Sequence, residues 1–141
     1  MRALPLLLAL LLAACAASPS PPRDDSLYRG LGELVGITRI VEGMLLNAAR
    51  NPRISHHFQD IDIERLRDKL VEQLCVEAGG PCEYSGDSME ESHKGLNIDR
   101  SDFNALVEDL IDAMAAEGVA VPVQNRLLAR LAAMRGQIIG R

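Results

Sequence analysis

Aromatic side chains are scarce in this sequence: Tyr28, Tyr84, Phe58 and Phe103 are all there are, and tryptophan is absent. Cysteine is scarce too, and three of them (Cys15, Cys75, Cys82) are too few for a disulfide scaffold. Basic residues are outnumbered, 15 Lys and Arg against 20 Asp and Glu, for a net charge of −5. That balance, with no basic patch, excludes a nucleic-acid binder, whose affinity comes largely from neutralised phosphates. No Gly-rich phosphate loop, Ser/His/Asp set or His-Glu-x-x-His occurs, which removes the commonest sequence-readable enzyme classes. No alternating apolar pattern of strand length is found either. What is present is the composition of one globular domain, 141 residues long, 48% apolar and 25% charged.

The first residues differ from the rest. Met1-Arg2, an apolar run over 3–12 and then Ala13-Ala14-Cys15 are the parts of a secretory signal. The run is short of the roughly 20 apolar residues that span a bilayer. Leu12-Ala13-Ala14-Cys15 resembles a bacterial lipobox, which implies removal of residues 1–14 and lipidation of Cys15 as the first mature residue. Ala16 at the next position points, by the same resemblance, to the outer membrane. Residues 15–25, rich in Pro and Ser, read as an extended, solvated tether. The expectation is an envelope protein facing the periplasm, with a folded domain over 26–141.

That domain reads as all-α. Leu34, Ile37, Ile40, Val41, Met44, Leu45 and Ala48 fall at helical steps, and Asn51-Pro52 ends the run. Gly43 inside it costs about 1 kcal/mol against Ala and marks either a close helix crossing or a tolerated defect. A connector over 53–60 leads to a second stripe, Ile63, Leu66, Leu70, Leu74 and Ala78, stopped by Gly79-Gly80-Pro81. One short helix is expected around 88–93. Phe103, Leu106, Val107, Leu110, Ile111 and Met114 form a third stripe, capped by Asp99 or Ser101 and ended by Gly118. Leu127, Leu128, Leu131, Met134, Ile138 and Ile139 form a fourth.

Candidates for chemistry are few. His56 and His57 are adjacent, so their side chains point apart, and no acidic or Cys partner stands at ligand spacing. Met89 and His93, four residues apart, share one face of a short helix. Taken alone, such a His is more often an ordinary surface or core residue than a ligand.

The ordered set Gly79-Gly80-Pro81-x-x-Tyr84-x-Gly86-x-x-Met89-x-x-x-His93 resembles the signature of the group I truncated haemoglobins. Leu27-Tyr28 through Gly32, the 52–58 stretch and the helix start over 99–103 resemble that family as well, so the likeness spans nearly all of 26–141. It implies a two-over-two helical sandwich holding haem b (iron protoporphyrin IX). The haem is held without covalent attachment, since no Cys-x-x-Cys-His occurs. His93 is then the proximal iron ligand, Phe58 stacks on the porphyrin, and Tyr84, Met89, Leu96, Ile98, Phe103 and Leu106 line the pocket.

The distal side departs from the family. Many members carry a Tyr on the second helix and a Gln before the Gly-Gly-Pro turn; here the matching positions hold Leu45, Leu66 and Leu70, with Leu74 next inward. An apolar distal pocket is expected. A register error of one residue would bring Asn47 or Gln73 there instead. Lys69 matches a position that supplies a sixth iron ligand in some members; solvent or a haem propionate is its other destination. His57 is a second distal-side candidate. Cys75 and Cys82 flank the turn, whose reversal would bring them within the disulfide Cα separation of about 4.4–6.8 Å, and export favours the bridge. These residues imply a lipid-anchored protein that binds oxygen, nitric oxide or carbon monoxide. Second stands a nitric oxide detoxification or peroxidase enzyme, which needs a redox partner or polar distal group that the sequence does not supply. Third stands a haem-free helical interaction module tethered to the envelope.

Overall fold

Apolar stripes become helices, beginning with α1 (Ser26–Gly30) and α2 (Glu33–Arg50). The computed structural model describes residues 23–141. The signal stretch, Cys15 and residues 16–22 of the tether lie outside the described residues. A 3-10 turn over Ser55–Phe58 precedes α3 (Ile63–Glu77), and the one-turn α4 (Met89–His93) leads into α5 (Arg100–Ala116). The chain closes with α6 (Val121–Ala132) and α7 (Arg135–Ile138). Among the described residues there is no strand, and no helix is long and apolar enough to cross a membrane.

The main packing is α2 against α5 and α3. Helix α2 contributes Ile37, Ile40, Val41, Met44, Leu45 and Ala48, all buried. The first five meet Leu110, Ala113 and Met114 of α5 and Leu74 and Cys75 of α3 in one cluster, while Ala48 packs with Ile54 and Ala105 in a second. A fully buried aliphatic such as Ile40 or Leu127 contributes about 1.5–3 kcal/mol. At Gly43 a Cβ would stand 3.2 Å from Ala113 Cβ, so this glycine serves a close crossing of α2 and α5. Helix starts follow their capping residues. Asp62 accepts from Arg65 N at 3.0 Å, and Asp99 forms a reciprocal capping box with Asp102.

Two features depart from the sequence reading. The fourth stripe is not one helix: the chain breaks between Ala132 and Arg135, and α7 packs on α4. Backbone bonds to the segment after α4 hold the redirected end, Gly140 N donating to Ile98 O at 2.9 Å and Asn97 N to Arg141 O at 3.2 Å. At the other terminus, residues 23–25 of the expected tether lie against the domain. Arg23 donates to Gly80 O at 2.9 Å, and Arg126 reaches Asp24 Oδ2 at 3.9 Å. Gly79 permits this close approach, because a Cβ there would collide with the Asp24 carbonyl, and its φ of 79° lies in the left-handed region.

Candidate functional site

Between α2, α3, α4 and α5 lies a cavity of about 530 Å³, well inside the range of small-molecule and cofactor sites. Leu45 enters it from α2 and Phe58 from the 3-10 turn. Leu66, Lys69, Leu70 and Leu74 come from α3, and Tyr84 from the loop beyond the Gly-Gly-Pro turn. Met89 and His93 come from α4, Leu96 and Ile98 from the turn after it, and Phe103 and Leu106 from α5. Every residue singled out above for the pocket therefore lines one space.

The glycines of the motif have local reasons. A Cβ at Gly80 would stand 2.6 Å from Cys75 Sγ and 2.5 Å from the Tyr28 ring. A Cβ at Gly86 would overlap Tyr84, with Cε2 at 2.8 Å. Tyr84 can therefore fold back so that its hydroxyl donates to Asp87 O at 2.6 Å. Burial, and after it the charges of Asp87 and Glu72, raises its pKa above the usual tyrosine value. Cys75 and Cys82 are joined in a disulfide, Cα to Cα 6.0 Å.

His93 Nδ1 lies 2.7 Å from Met89 O. A carbonyl only accepts, so in the neutral ring Nδ1 carries the proton and Nε2 keeps its lone pair. That is the tautomer a metal-binding His needs, fixed by its partner on the other nitrogen. Across the cavity, Leu45 and Leu74 are buried and Leu66 and Leu70 are half-buried. None of the four carries a hydrogen-bond donor in its side chain.

The polar side chains nearby are largely engaged elsewhere. Lys69 Nζ donates to Glu72 at 3.0 Å and to Ser85 Oγ at 2.5 Å. Gln73 Nε2 donates to Met89 Sδ at 3.1 Å and Met134 Sδ at 3.5 Å, on the His93 side. Asn47 donates to Asp109 O at 3.1 Å, against α5. His57 Nε2 is buried 3.3 Å from Asp102 Oδ2, at an angle that makes no hydrogen bond. The Glu72 carboxyl is held below the usual carboxylate range, chiefly by the Ser85 N–H and then by Lys69. Its ties are thus fully present above its unfolded value and are lost as pH falls through the lowered folded value.

Sequence reasoning missed several liners: Met44, Ile54, Val107, Leu110, Leu131, Met134 and Ile138, with Asp62, Arg65 and Asp102 among the polar ones. Val107 and Leu110 belong to the stripe of Phe103 and Leu106, so extending that face would have found them. Met134 and Ile138 come from the segment redirected by the break after α6. Among the described residues no group of three His, Cys, Asp or Glu is placed to hold a metal ion.

Residues 26–139 match the family model described as bacterial-like globin. The group 1 truncated hemoglobin of Nostoc sp. is 29% identical over 117 residues, covering 83% of this chain and 99% of that protein. The group 1 truncated hemoglobin of Synechocystis sp. is 30% identical over 116 residues, 79% and 90% of the two chains. The crystal structure of truncated hemoglobin from Tetrahymena pyriformis in the Fe(III) form superposes with a TM-score of 0.79 at 26% identity, covering 82% of this chain and 98% of that one. That protein has also been solved with a Tyr→Phe and two Gln→Glu substitutions. The Tyr and first Gln are 21 positions apart and the two Gln 4 apart, the separations here of Leu45, Leu66 and Leu70.

Proposed function

The chain belongs to the bacterial-like globin family, and on that premise we propose that it binds haem b in this cavity, with His93 Nε2 on the iron, as a receptor for diatomic gases. The observation that carries the reading is the His93–Met89 hydrogen bond, which leaves an unprotonated Nε2 to a largely apolar cavity. The residues present fit the group. A neutral imidazole is the donor that haem iron takes in globins, Phe58 and Phe103 offer ring surfaces, and Arg65 at the rim offers a cation for the porphyrin carboxylates.

When bound, haem would supply an iron able to take a small gas. Leu45, Leu66, Leu70 and Leu74 would form an aliphatic wall around that gas, limiting water there and offering it no hydrogen-bond donor. A polarised dioxygen gains nothing from such a wall, whereas carbon monoxide and nitric oxide depend less on a hydrogen bond. The relative preference therefore shifts toward the latter two. Lys69, committed to Glu72 and Ser85, stays off the iron.

An ultraviolet–visible spectrum of the reconstituted protein tests the reading. A Soret band and a five-coordinate ferrous spectrum are expected. A six-coordinate ferrous spectrum returns Lys69 and His57 as ligands. Absence of haem uptake leaves the helical interaction module, and rapid turnover of nitric oxide by the oxygenated protein makes it an enzyme.

Anchoring through Cys15 to the outer membrane, facing the periplasm, is part of the same proposal. Its support is the lipobox-like sequence and the Cys75–Cys82 bridge, a bond that persists in oxidising compartments. Cells fed a labelled fatty acid should yield a labelled, membrane-bound protein, and Cys15→Ala should move it to the soluble fraction. An unlabelled wild type overturns the anchor.

A further inference from the structure

The segment that carries His93 has little of its own to hold it. No helix forms between Pro81 and Ser88. Helix α4 is a single turn of five residues, far shorter than an isolated helix that persists in water. Its place is set from outside. Helix α7 packs on one side of it, with Arg141 reaching Glu90 at 3.6 Å. Helix α3 grips the other side at neighbouring positions. Glu72 accepts the Ser85 N–H at 2.9 Å and the Ser85 hydroxyl at 2.9 Å. Gln73 donates to Met89 Sδ at 3.1 Å, and Cys75 is bonded to Cys82. Lys69, one turn back, binds both Glu72 and Ser85.

We propose that Glu72, together with the Cys75–Cys82 bridge, is a positioning residue for His93: it fastens the 82–93 segment to α3, so that the imidazole is in place before the cofactor arrives. The proposal rests on the reading of His93 as the iron ligand. The bridge fixes the start of the segment, but Tyr84 to Ser88 would be free to splay without a second fastening. Glu72 provides that fastening at a main-chain amide, which a side-chain rearrangement of the loop cannot replace. A ligand held in advance costs less to order on binding than one that must be captured from a mobile loop.

The test uses the oxidised, haem-loaded protein and its Glu72→Ala and Glu72→Gln variants. Glu72 is half-exposed and Ala is the best helix former, so the fold should survive. Three quantities are read: haem transfer to an excess of a scavenging apoglobin, the iron–histidine stretching band of the ferrous protein, and amide hydrogen exchange over 89–93 in the haem-free chain. Glu72→Ala is expected to speed haem loss about 10-fold, the low end of what outer-shell partners contribute at metal sites. It should also shift or broaden the iron–histidine band and accelerate exchange over 89–93. Glu72→Gln should restore most of this, because its amide oxygen still accepts from Ser85 N–H. The Cys75→Ala, Cys82→Ala double variant should show the same three changes. An unchanged band and unchanged exchange in Glu72→Ala overturn the proposal, even if general destabilisation speeds haem loss. When the wild type takes up haem, that result leaves the His93 reading standing. A wild type that takes up none removes both.

Discussion

His93→Gly is expected to lose more than about 100-fold in haem affinity, since even the outer-shell partners of metal ligands are worth about 10–100-fold. The polypeptide itself should fold. His93 is only half-buried, at the end of a one-turn helix, and belongs to neither apolar core cluster. Stability therefore gives a second reading of the same event. A ligand that binds only the native state stabilises it by about 2.7 kcal/mol at 100 times its Kd. Wild type should accordingly unfold at higher urea when haem is added, and His93→Gly should show almost none of that gain at equal haem. Added imidazole should restore part of the Soret intensity in the variant, because the ring can occupy the space that the side chain vacated. Equal haem affinity in the two proteins would remove His93 from the iron. The shared cavity would then have to hold the cofactor by its walls and by another donor, with His57, which also lines it, the first to examine.

How far the sequence discloses these features depends on whether their cause is local. Helices α2, α3 and α5 carry continuous apolar faces and conventional stops, so periodicity places them within a residue or two. The break between α6 and α7 has no such mark. Leu127, Leu131, Met134 and Ile138 keep helical spacing straight through it, and neither Pro nor Gly occupies Ala133 or Met134. What accompanies it lies elsewhere in the chain: α7 packs on α4, and Ile98 and Asn97 bond to the C-terminal residues. The five-residue α1 is too short for periodicity to register. The cavity is hidden for a related reason. A stripe such as Leu66, Leu70 and Leu74 has the same pattern whether it meets another helix or an open space, and only the three-dimensional packing distinguishes them. His93 is a further case. Its residue type and spacing favour an ordinary surface or core His, and the family likeness is what singles it out. The carbonyl that fixes its tautomer became visible only with the backbone. The Glu72–Ser85 tie was invisible as well, because Lys69 and Glu72 alone look like an exposed i,i+3 pair, and their shared partner lies 16 residues from Lys69.

Leu66→Gln is expected to move the relative gas preference back toward oxygen. Glutamine is close to leucine in size and equally tolerant of a helix, so α3 should hold its course and bring an amide N–H toward the space that the aliphatic wall now fills. In the gas-free protein that amide lies in apolar surroundings at a cost of about 1–3 kcal/mol, which should appear as a modest loss of stability. With dioxygen present it gains a hydrogen bond to a polarised partner, worth about 1–3 kcal/mol. Oxygen dissociation should then slow by about 5- to 150-fold, read by stopped-flow displacement with carbon monoxide. Carbon monoxide dissociation should change far less, since that ligand carries little charge for a donor to meet. The contrast between the two gases is the informative quantity. A change in pocket volume alone would shift both in parallel, and a side chain that does not reach the gas would shift neither. A parallel shift would leave Leu66 on the wall but overturn the expected hydrogen bond to the gas, whereas no shift in either would overturn the assignment of Leu66 to the gas-facing wall; each result removes the proposed reason for a preference against oxygen.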